Sequence, residues 1–199
     1  MKKKLVLLVL FACILSSLLA FDGNRKGFLL GIGGGLAYLS YSQELEGHGD
    51  SYESPDKEEN AFATDFKIGY APNNYLELYY TNKVAWFSMK NIYDDNITIA
   101  DGVSAIGMSY FVAPELKSGN WCPSIFLSAG LGISSWSAPY EDSEASTGTG
   151  LFVGVGYEFS KHYRISLDYF ANNPSLEENG VTLTTNSNVL MLTFSGLGY

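Results

Sequence analysis

The sequence predicts an all-β protein, an eight-stranded antiparallel up-and-down transmembrane β-barrel, and three observations support this prediction. Residues 1–20 have the features of a cleaved export signal. No later segment has eighteen consecutive apolar residues, so a mature chain that spans a membrane must cross it as strands. Apolar residues alternate with small or polar ones through most of the remaining chain, and this period of two is typical of strands.

The first twenty residues predict a signal peptide. Lys2–Lys4 form a basic start, residues 5–12 are unbroken apolar, and cleavage after Ala20 gives a mature chain from Phe21. We therefore divide the chain into a signal peptide, residues 1–20, and an outer-membrane barrel domain, residues 21–199. Residues 10–13 loosely resemble a lipidation signal ending at Cys13, and this alternative stays open although Phe11 fits it poorly.

Charge and cysteine content exclude two classes of function. Loss of Lys2–Lys4 takes the net charge from −9 to about −12, and such an acidic chain is a poor ligand for the phosphate backbone, so no nucleic acid is expected as a partner. Only Cys122 remains after cleavage, so the mature chain has no internal disulfide.

Four segments alternate clearly. In the first, Phe62, Phe66 and Ile68 share one face while Asp65 and Lys67 share the other. The four segments are residues 62–71, 124–133, 150–159 and 163–170.

Four further segments complete the eight strands. They are residues 28–41, 75–86, 102–112 and approximately 182–199. The last has an ambiguous parity, because Leu190, Leu192 and Phe194 share one face while Leu197 and Tyr199 lie on the other. A bulge near residues 195–196 is expected to reconcile the two halves.

The connections between these segments alternate in length. Short turns are predicted at residues 72–74, 114–123 and 160–162, and long loops at residues 42–60, 88–96, 137–148 and 172–181. Short periplasmic turns and long extracellular loops are typical of outer-membrane barrels, and this order leaves both termini periplasmic.

A soluble β-sandwich also alternates, and the distribution of residue types favours the barrel. The face opposite the apolar one is rich in Gly, Ser and Ala, which suits a narrow bore that Phe126, Phe152 and Phe170 help to fill. Aromatic residues lie near both ends of the apolar faces, as expected at two lipid interfaces. They are Phe28, Tyr70, Tyr110, Phe159 and Tyr163 on the short-turn side, and Tyr38, Phe62, Trp86 and Tyr169 on the loop side.

Repeated Gly-x-Gly strands and an aromatic C-terminus carry a resemblance to a known family. The repeats are Gly31-Ile32-Gly33, Gly130-Leu131-Gly132, Gly154-Val155-Gly156 and Gly196-Leu197-Gly198, and Tyr199 follows the last. No helical segment follows any of them, which argues against nucleotide-binding loops. With the alternation, they resemble the OmpA/OmpX-like and opacity-type outer-membrane barrels across the mature chain.

This resemblance implies a monomer in the outer membrane of a Gram-negative cell, with outer-membrane lipid and lipopolysaccharide as its surroundings. It also implies that the barrel-assembly machinery recognises the last strand through Tyr199. The family's roles are membrane anchoring, adhesion, immune evasion and envelope integrity, and no cofactor is implied.

Seven charged residues are predicted to face the bore: Asp65, Lys67, Glu77, Lys83, Glu158, Arg164 and Asp168. Glu158 is expected opposite Arg164 across a hairpin, and Lys67 diagonal to Glu77. Buried charges persist when they are paired, so we expect a salt-bridge network that plugs the bore; a narrow ion path is the alternative.

Loop one, residues 42–60, is strongly acidic. Asp50, Glu53, Glu58 and Glu59 offer oxygen atoms that could collect Ca²⁺ or Mg²⁺, but their spacing matches no EF-hand, so a solvated, repulsive loop with no metal is expected.

No catalytic or cofactor-binding site is predicted. His48 lies near Ser51 in a loop and His162 near Ser160 in a turn, and neither pair has an orienting acid on a strand. The sequence thus favours a non-enzymatic protein that anchors acidic extracellular loops for envelope integrity, surface contact or adhesion. A narrow porin and a lipid A-modifying enzyme are the alternatives.

Overall fold

The computed structural model describes residues 25–47, 50–90, 94–114, 122–141 and 143–199. The expected signal peptide and Cys13 lie outside these residues. Within them the chain forms nine β-strands: β1 Gly27–Gly47, β2 Asp50–Glu53, β3 Lys57–Asn73, β4 Leu76–Lys90, β5 Asn96–Val112, β6 Ser124–Ser137, β7 Ser146–Ser160, β8 Tyr163–Glu178 and β9 Val181–Gly198. The described part of the chain contains no helix long and apolar enough to span a membrane.

The prediction of eight strands is wrong by one, because loop one contains a strand of its own. The four-residue β2 pairs only with the far end of β1, where Glu44 lies opposite Glu53. The other strands pair with their neighbours in chain order, and β1 also pairs antiparallel with β9, which closes the ring. The closed wall formed by the described strands therefore has eight members, with β2 added above it.

Two of the predicted long loops are largely strand. β1 and β3 extend into residues 42–60, and β8 and β9 meet at a tight turn of Asn179 and Gly180, both with positive φ. An Asn-Gly pair with both φ angles positive is the preferred two-residue hairpin turn. The apolar alternation fades in these extensions because polar residues occupy both faces, including buried inward positions such as Asn172, Thr185 and Ser187, and the sequence prediction therefore ended the strands too early.

The apolar face of the wall points outward. Leu127, Leu131, Val153 and Leu167 are 55%, 74%, 50% and 42% exposed, while Phe126, between two of the wall's outward residues, is fully buried. A broad apolar outer surface with a polar interior is the reverse of a water-soluble β-protein and matches a wall in contact with acyl chains. This confirms the predicted orientation of the two faces.

Both predicted rings of aromatic residues lie on the outer face. Phe28, Tyr70 and Tyr110 are each more than half exposed at the short-turn end, and Phe62 is 57% exposed at the loop end. Trp86 is half-buried because its indole Nε1 donates a 2.9 Å hydrogen bond to Thr64 Oγ1 on β3.

The register of the last strand corrects a second expectation. β9 pairs without a shift with β1 up to Gly198, so the expected bulge near residues 195–196 is absent. Leu197 and Tyr199 instead point into the bore, where they are 7% and 8% exposed. Both residues have the same parity as Ser195, which also points into the bore, so no bulge is needed to explain their orientation.

Glycines in the bore leave room for the phenylalanine rings. A Cβ atom on Gly156 would lie 2.2 Å from Cζ of Phe126, and one on Gly130 would lie 2.4 Å from Cε1 of Phe152. Small and large residues thus alternate so that side chains fill a bore only eight strands wide.

We expect Gly156→Ala to lower the free energy of unfolding by about 1–3 kcal/mol, because the added methyl group overpacks the bore against Phe126. The urea midpoint of the refolded barrel measures this. Gly196→Ala is the matched control, since a Cβ there meets no atom within 4 Å. Equal midpoints for the two variants would contradict the close packing described here.

Candidate functional site

The interior of the barrel is charged, and all seven residues predicted to face the bore are buried there. Their exposed fractions do not exceed 3%. They divide into two groups along the axis. Glu77, Glu158 and Arg164 lie toward the short turns, and Asp65, Lys67, Lys83 and Asp168 lie near the middle of the wall.

The group near the short turns, which we call the turn-end cluster, contains Arg25, Glu77, Glu158, Arg164 and Tyr199. Both terminal nitrogens of Arg164 donate to the Glu77 carboxylate at 3.0 Å, a bidentate pair. The Tyr199 hydroxyl lies 2.8 Å from Glu77 Oε1 and 2.9 Å from Glu158 Oε2. Arg25 Nε donates to Glu158 Oε1 at 2.9 Å. Two guanidinium groups and two carboxylates therefore balance within one hydrogen-bonded unit.

Arg25 belongs to this cluster although it precedes β1 and is not part of the strands that form the wall. Its guanidinium also donates to the carbonyl oxygens of Pro114 and Cys122 and stacks 4.2 Å from the centre of the Phe111 ring. The Arg25 side chain therefore lies across the short-turn end of the bore.

The group near the middle, the central cluster, consists of Asp65, Lys67, Lys83 and Asp168. Lys83 Nζ lies 3.1 Å from Asp65 and 3.0 Å from Asp168, and Lys67 Nζ lies 3.5 Å from Asp65. In the ring order β1-β3-β4-β5-β6-β7-β8-β9, β4 and β8 lie opposite each other. The Lys83–Asp168 pair therefore spans the full width of the bore.

Hydroxyl groups satisfy the remaining oxygens of the central cluster. Thr81 donates to Asp65 Oδ1 at 2.8 Å, and Ser166 and Ser128 donate to the two oxygens of Asp168 at 2.9 and 3.2 Å. Full satisfaction of this kind stabilises a buried charge network.

One of the two predicted pairings is confirmed in register, and the other is wrong. Glu158 lies opposite Arg164 across the β7–β8 hairpin, although the ion-pair partner of Arg164 is Glu77. Lys67 lies opposite Thr81 and not diagonal to Glu77. The reason is the β3–β4 turn, which is at residues 74–75 with a bulge before it, so β4 is shifted by two residues from the expected register.

An aromatic cluster fills the bore toward the loops. Tyr41, Phe87 and Trp136 contribute rings whose centres are 4.9 to 5.9 Å apart, and all three are at most 8% exposed. With the two charged clusters it completes a stack of packed layers along the axis.

Acidic side chains surround the loop end of the wall, on a surface that we call the acidic rim. They occur on all four connections at this end, and Lys57 and Lys90 are exposed among them. The exposed carboxylates in the described residues are Glu46, Asp50, Glu53, Asp56, Glu58, Asp94, Asp95, Glu141, Glu144, Glu177 and Glu178.

The other residues weighed for chemistry lie at different places in the fold. Ser160 and His162 belong to the β7–β8 turn, at the end away from the acidic rim, and His48 lies outside the described residues. Asp50 and Glu53 lie on β2 and are exposed. Among the described residues, no three His, Cys, Asp or Glu side chains converge as a metal site.

Three interior residues escaped the sequence analysis. Asp101 was missed because the predicted strand began at Gly102, although it shares the parity of Ala105 and Ser109. Tyr199 was missed because its inward parity was attributed to a bulge. Arg25 precedes the first strand, and no periodic signal in the sequence points to it.

Solved structures similar to this one are bacterial outer-membrane barrels. Outer membrane protein OprG from Pseudomonas aeruginosa matches with a TM-score of 0.52 at 14% identity, over 89% of this chain and 98% of OprG. AlkL in lipid bilayers matches at 11% identity, over 89% and 92%, with a TM-score of 0.49. Neisserial surface protein A matches at 15% identity, over 87% and 97%, with a TM-score of 0.48. Protein-family models and the curated proteins gave no match.

The match to OprG shows the fold, an antiparallel outer-membrane β-barrel, which agrees with the architecture that the resemblance in the sequence implied. The predicted outer-membrane location agrees with this fold and with the apolar outer face of the wall.

We expect Arg164→Ala to lower the free energy of unfolding by about 3–5 kcal/mol, because it leaves the buried Glu77 carboxylate without its cation. Urea unfolding and the difference in gel migration between heated and unheated protein measure the effect. Lys90→Ala removes an exposed pair with Asp94 and is expected to cost less than about 1 kcal/mol. Unchanged unfolding and migration of Arg164→Ala would refute the pairing.

Proposed function

We propose that this protein is a non-enzymatic barrel of the outer membrane that anchors the acidic rim at the cell surface for contact or adhesion. One observation carries the proposal. Interior carboxylates of the two charged clusters are paired with cations, whereas the exposed carboxylates of the described residues gather at one end of the wall. The charge available to a partner is therefore concentrated on the rim.

The filled bore favours an anchor over a channel. Lys83 and Arg164 each join opposite walls, and the aromatic rings of Tyr41, Phe87 and Trp136 close the bore above them. An eight-stranded barrel has an interior just wide enough for side chains. An ion would have to displace paired buried charges, so a narrow porin is the weaker candidate.

The chemistry of the rim favours a cationic partner. Like charges on neighbouring connections repel anionic surfaces and attract basic ones, and this attraction acts over a Debye length of about 10 Å at moderate salt. Such contacts give selectivity and fast association more than tight binding. In this proposal the barrel holds the rim at a fixed height above the membrane, since β1, β3, β8 and β9 extend beyond the predicted membrane-spanning segments.

The lipid A-modifying enzyme remains the alternative of a different class. It would need a histidine and serine with an orienting acid within reach of lipid. Mass spectrometry of lipid A from cells with and without the gene tests it, and we expect identical spectra.

Neutralising loop-one carboxylates is expected to weaken binding to a cationic surface. The variant replaces Glu46, Asp50, Glu53 and Asp56 by their amides, and the measurement is retention of the barrel, in nanodiscs, on polylysine-coated beads over a salt series. We expect several-fold weaker retention at low salt and a shallower salt dependence. Replacing Lys57 and Lys90 by Gln changes the same surface in the opposite direction and should strengthen retention. Equal retention of all three proteins would contradict the proposal.

Planar-bilayer recording of the purified barrel is expected to show no steady conductance above the lipid background, because paired charges and aromatic rings fill the bore. A reproducible ohmic step in the wild type that Lys83→Ala enlarges would favour the narrow porin and would count against a purely anchoring role.

A further inference from the structure

Four oxygen atoms on the loop side of the bore have no hydrogen-bond partner of normal geometry in the described part of the chain. They are Oδ2 of Asp101, Oδ1 of Asn172, Oγ of Ser134 and Oγ of Ser187, which we call the oxygen cluster. Each of the four residues is at most 4% exposed. A buried polar atom without a partner costs free energy, so four such atoms in one region indicate that a ligand binds there.

The four residues face one another across the bore. Asn172 Nδ2 donates to Asp101 Oδ1 at 2.8 Å, which leaves the amide oxygen of Asn172 free to face elsewhere. The Ser187 hydroxyl lies near the Asp101 carboxylate but outside normal hydrogen-bond geometry. β5, β6, β8 and β9 each supply one member, so the cluster draws on half of the ring.

Gly150 on β7 lets the side chains of the cluster pack closely against the wall. A Cβ atom there would lie 2.6 Å from Asn172 Oδ1, 2.8 Å from Cγ2 of Val103 and 3.2 Å from the Cβ of Ser134. Any side chain at position 150 would therefore displace Asn172 and its neighbours from their present positions.

The charge of the cluster is not balanced by the protein. No cationic side chain in the described ranges lies within ion-pair distance of Asp101, whereas Asp65, Glu77, Glu158 and Asp168 each have one. An uncompensated carboxylate in such a site is strongly unfavourable. A bound water molecule would satisfy the hydrogen bonds but would leave the charge.

We propose that the oxygen cluster binds a small hard monovalent cation, of which sodium is the probe. A carboxylate, an amide oxygen and two hydroxyls are the oxygen donors that hard cations select. A single carboxylate neutralises one positive charge, whereas protein sites for calcium combine more oxygen ligands and more charge. The net charge of the filled site is zero, which suits its burial.

A cavity in the wall reaches two of the four residues. A cavity of about 460 Å³ on the outer face has Asn172 and Ser187 among its lining residues. It lies where Asn173 and Pro174 make no ladder pairs with β9, because proline has no backbone N–H to donate. This gap is four to five residues beyond the outer aromatic Tyr169, on the side toward the loops.

The test compares thermal unfolding of the refolded barrel in sodium chloride and in N-methylglucamine chloride at equal ionic strength. For sodium at ten times its dissociation constant, we expect the wild-type midpoint to rise by roughly 3 °C or more. Sodium NMR on the same samples is expected to show that the wild-type protein broadens the sodium line. Added potassium, which competes for the site, should reduce this broadening.

Two variants remove the site in different ways. Asp101→Asn removes the charge, and Gly150→Ala displaces the Asn172 amide oxygen with a methyl group while keeping the carboxylate; both are expected to abolish the sodium-specific rise and the broadening. Asp94→Asn removes an exposed carboxylate and should retain both. Because each protein is compared with itself in two salts, a change in overall stability does not affect the readout.

Three results would overturn the proposal. The first is equal wild-type midpoints in the two salts with no line broadening, which would assign the cluster to water or to a protonated carboxyl group. The second is a sodium-specific rise that persists in Asp101→Asn. The third is loss of the rise in Asp94→Asn, which would place the ion on the surface.

Discussion

Two ion pairs join β4 to β8, the strands that lie opposite each other in the ring, and the interior depends on them. Arg164 binds Glu77 near the short turns and Lys83 binds Asp168 near the middle of the wall. Small glycine and serine residues around them give the bore its width, and the apolar face is left to the lipid. Each cation is neutralised by the wall opposite it, so the interior is polar without carrying free charge along this part of the axis.

The two faces of each strand were predictable from the sequence, whereas the partners across the bore were not. Period-two alternation assigns Arg164 and Glu77 to the interior but contains no information on which strands face each other. The expected hairpin correctly placed Glu158 opposite Arg164 on the neighbouring strand, yet the Arg164 guanidinium binds Glu77 on the opposite side of the bore. Register across a turn was also uncertain, because a bulge before Asn73 moved Lys67 away from Glu77.

The positions at which the strands end were the second feature that the sequence did not predict. The alternating signal exists only where one face meets lipid and the other the packed bore. Farther toward the loops both faces carry mostly polar residues, and β8 and β9 continue without an apolar pattern to the turn at Asn179 and Gly180. The Asn-Gly pair itself was a usable signal for that hairpin. Asp101 was also missed as an interior residue, because it lies one residue before the segment in which the alternation was recognised.

The two ends of the described chain meet at one carboxylate. Arg25, which precedes the first strand, and Tyr199, which follows the last, both bond to Glu158 on β7. Side-chain hydrogen bonds inside the bore therefore link the two sides of the seam between β1 and β9. Separating these strands would remove two partners from a buried carboxylate. This seam also has the longest ladder among the described strands, from Leu30 opposite Gly198 to Gly47 opposite Val181, so backbone and side-chain bonds together join the first strand to the last.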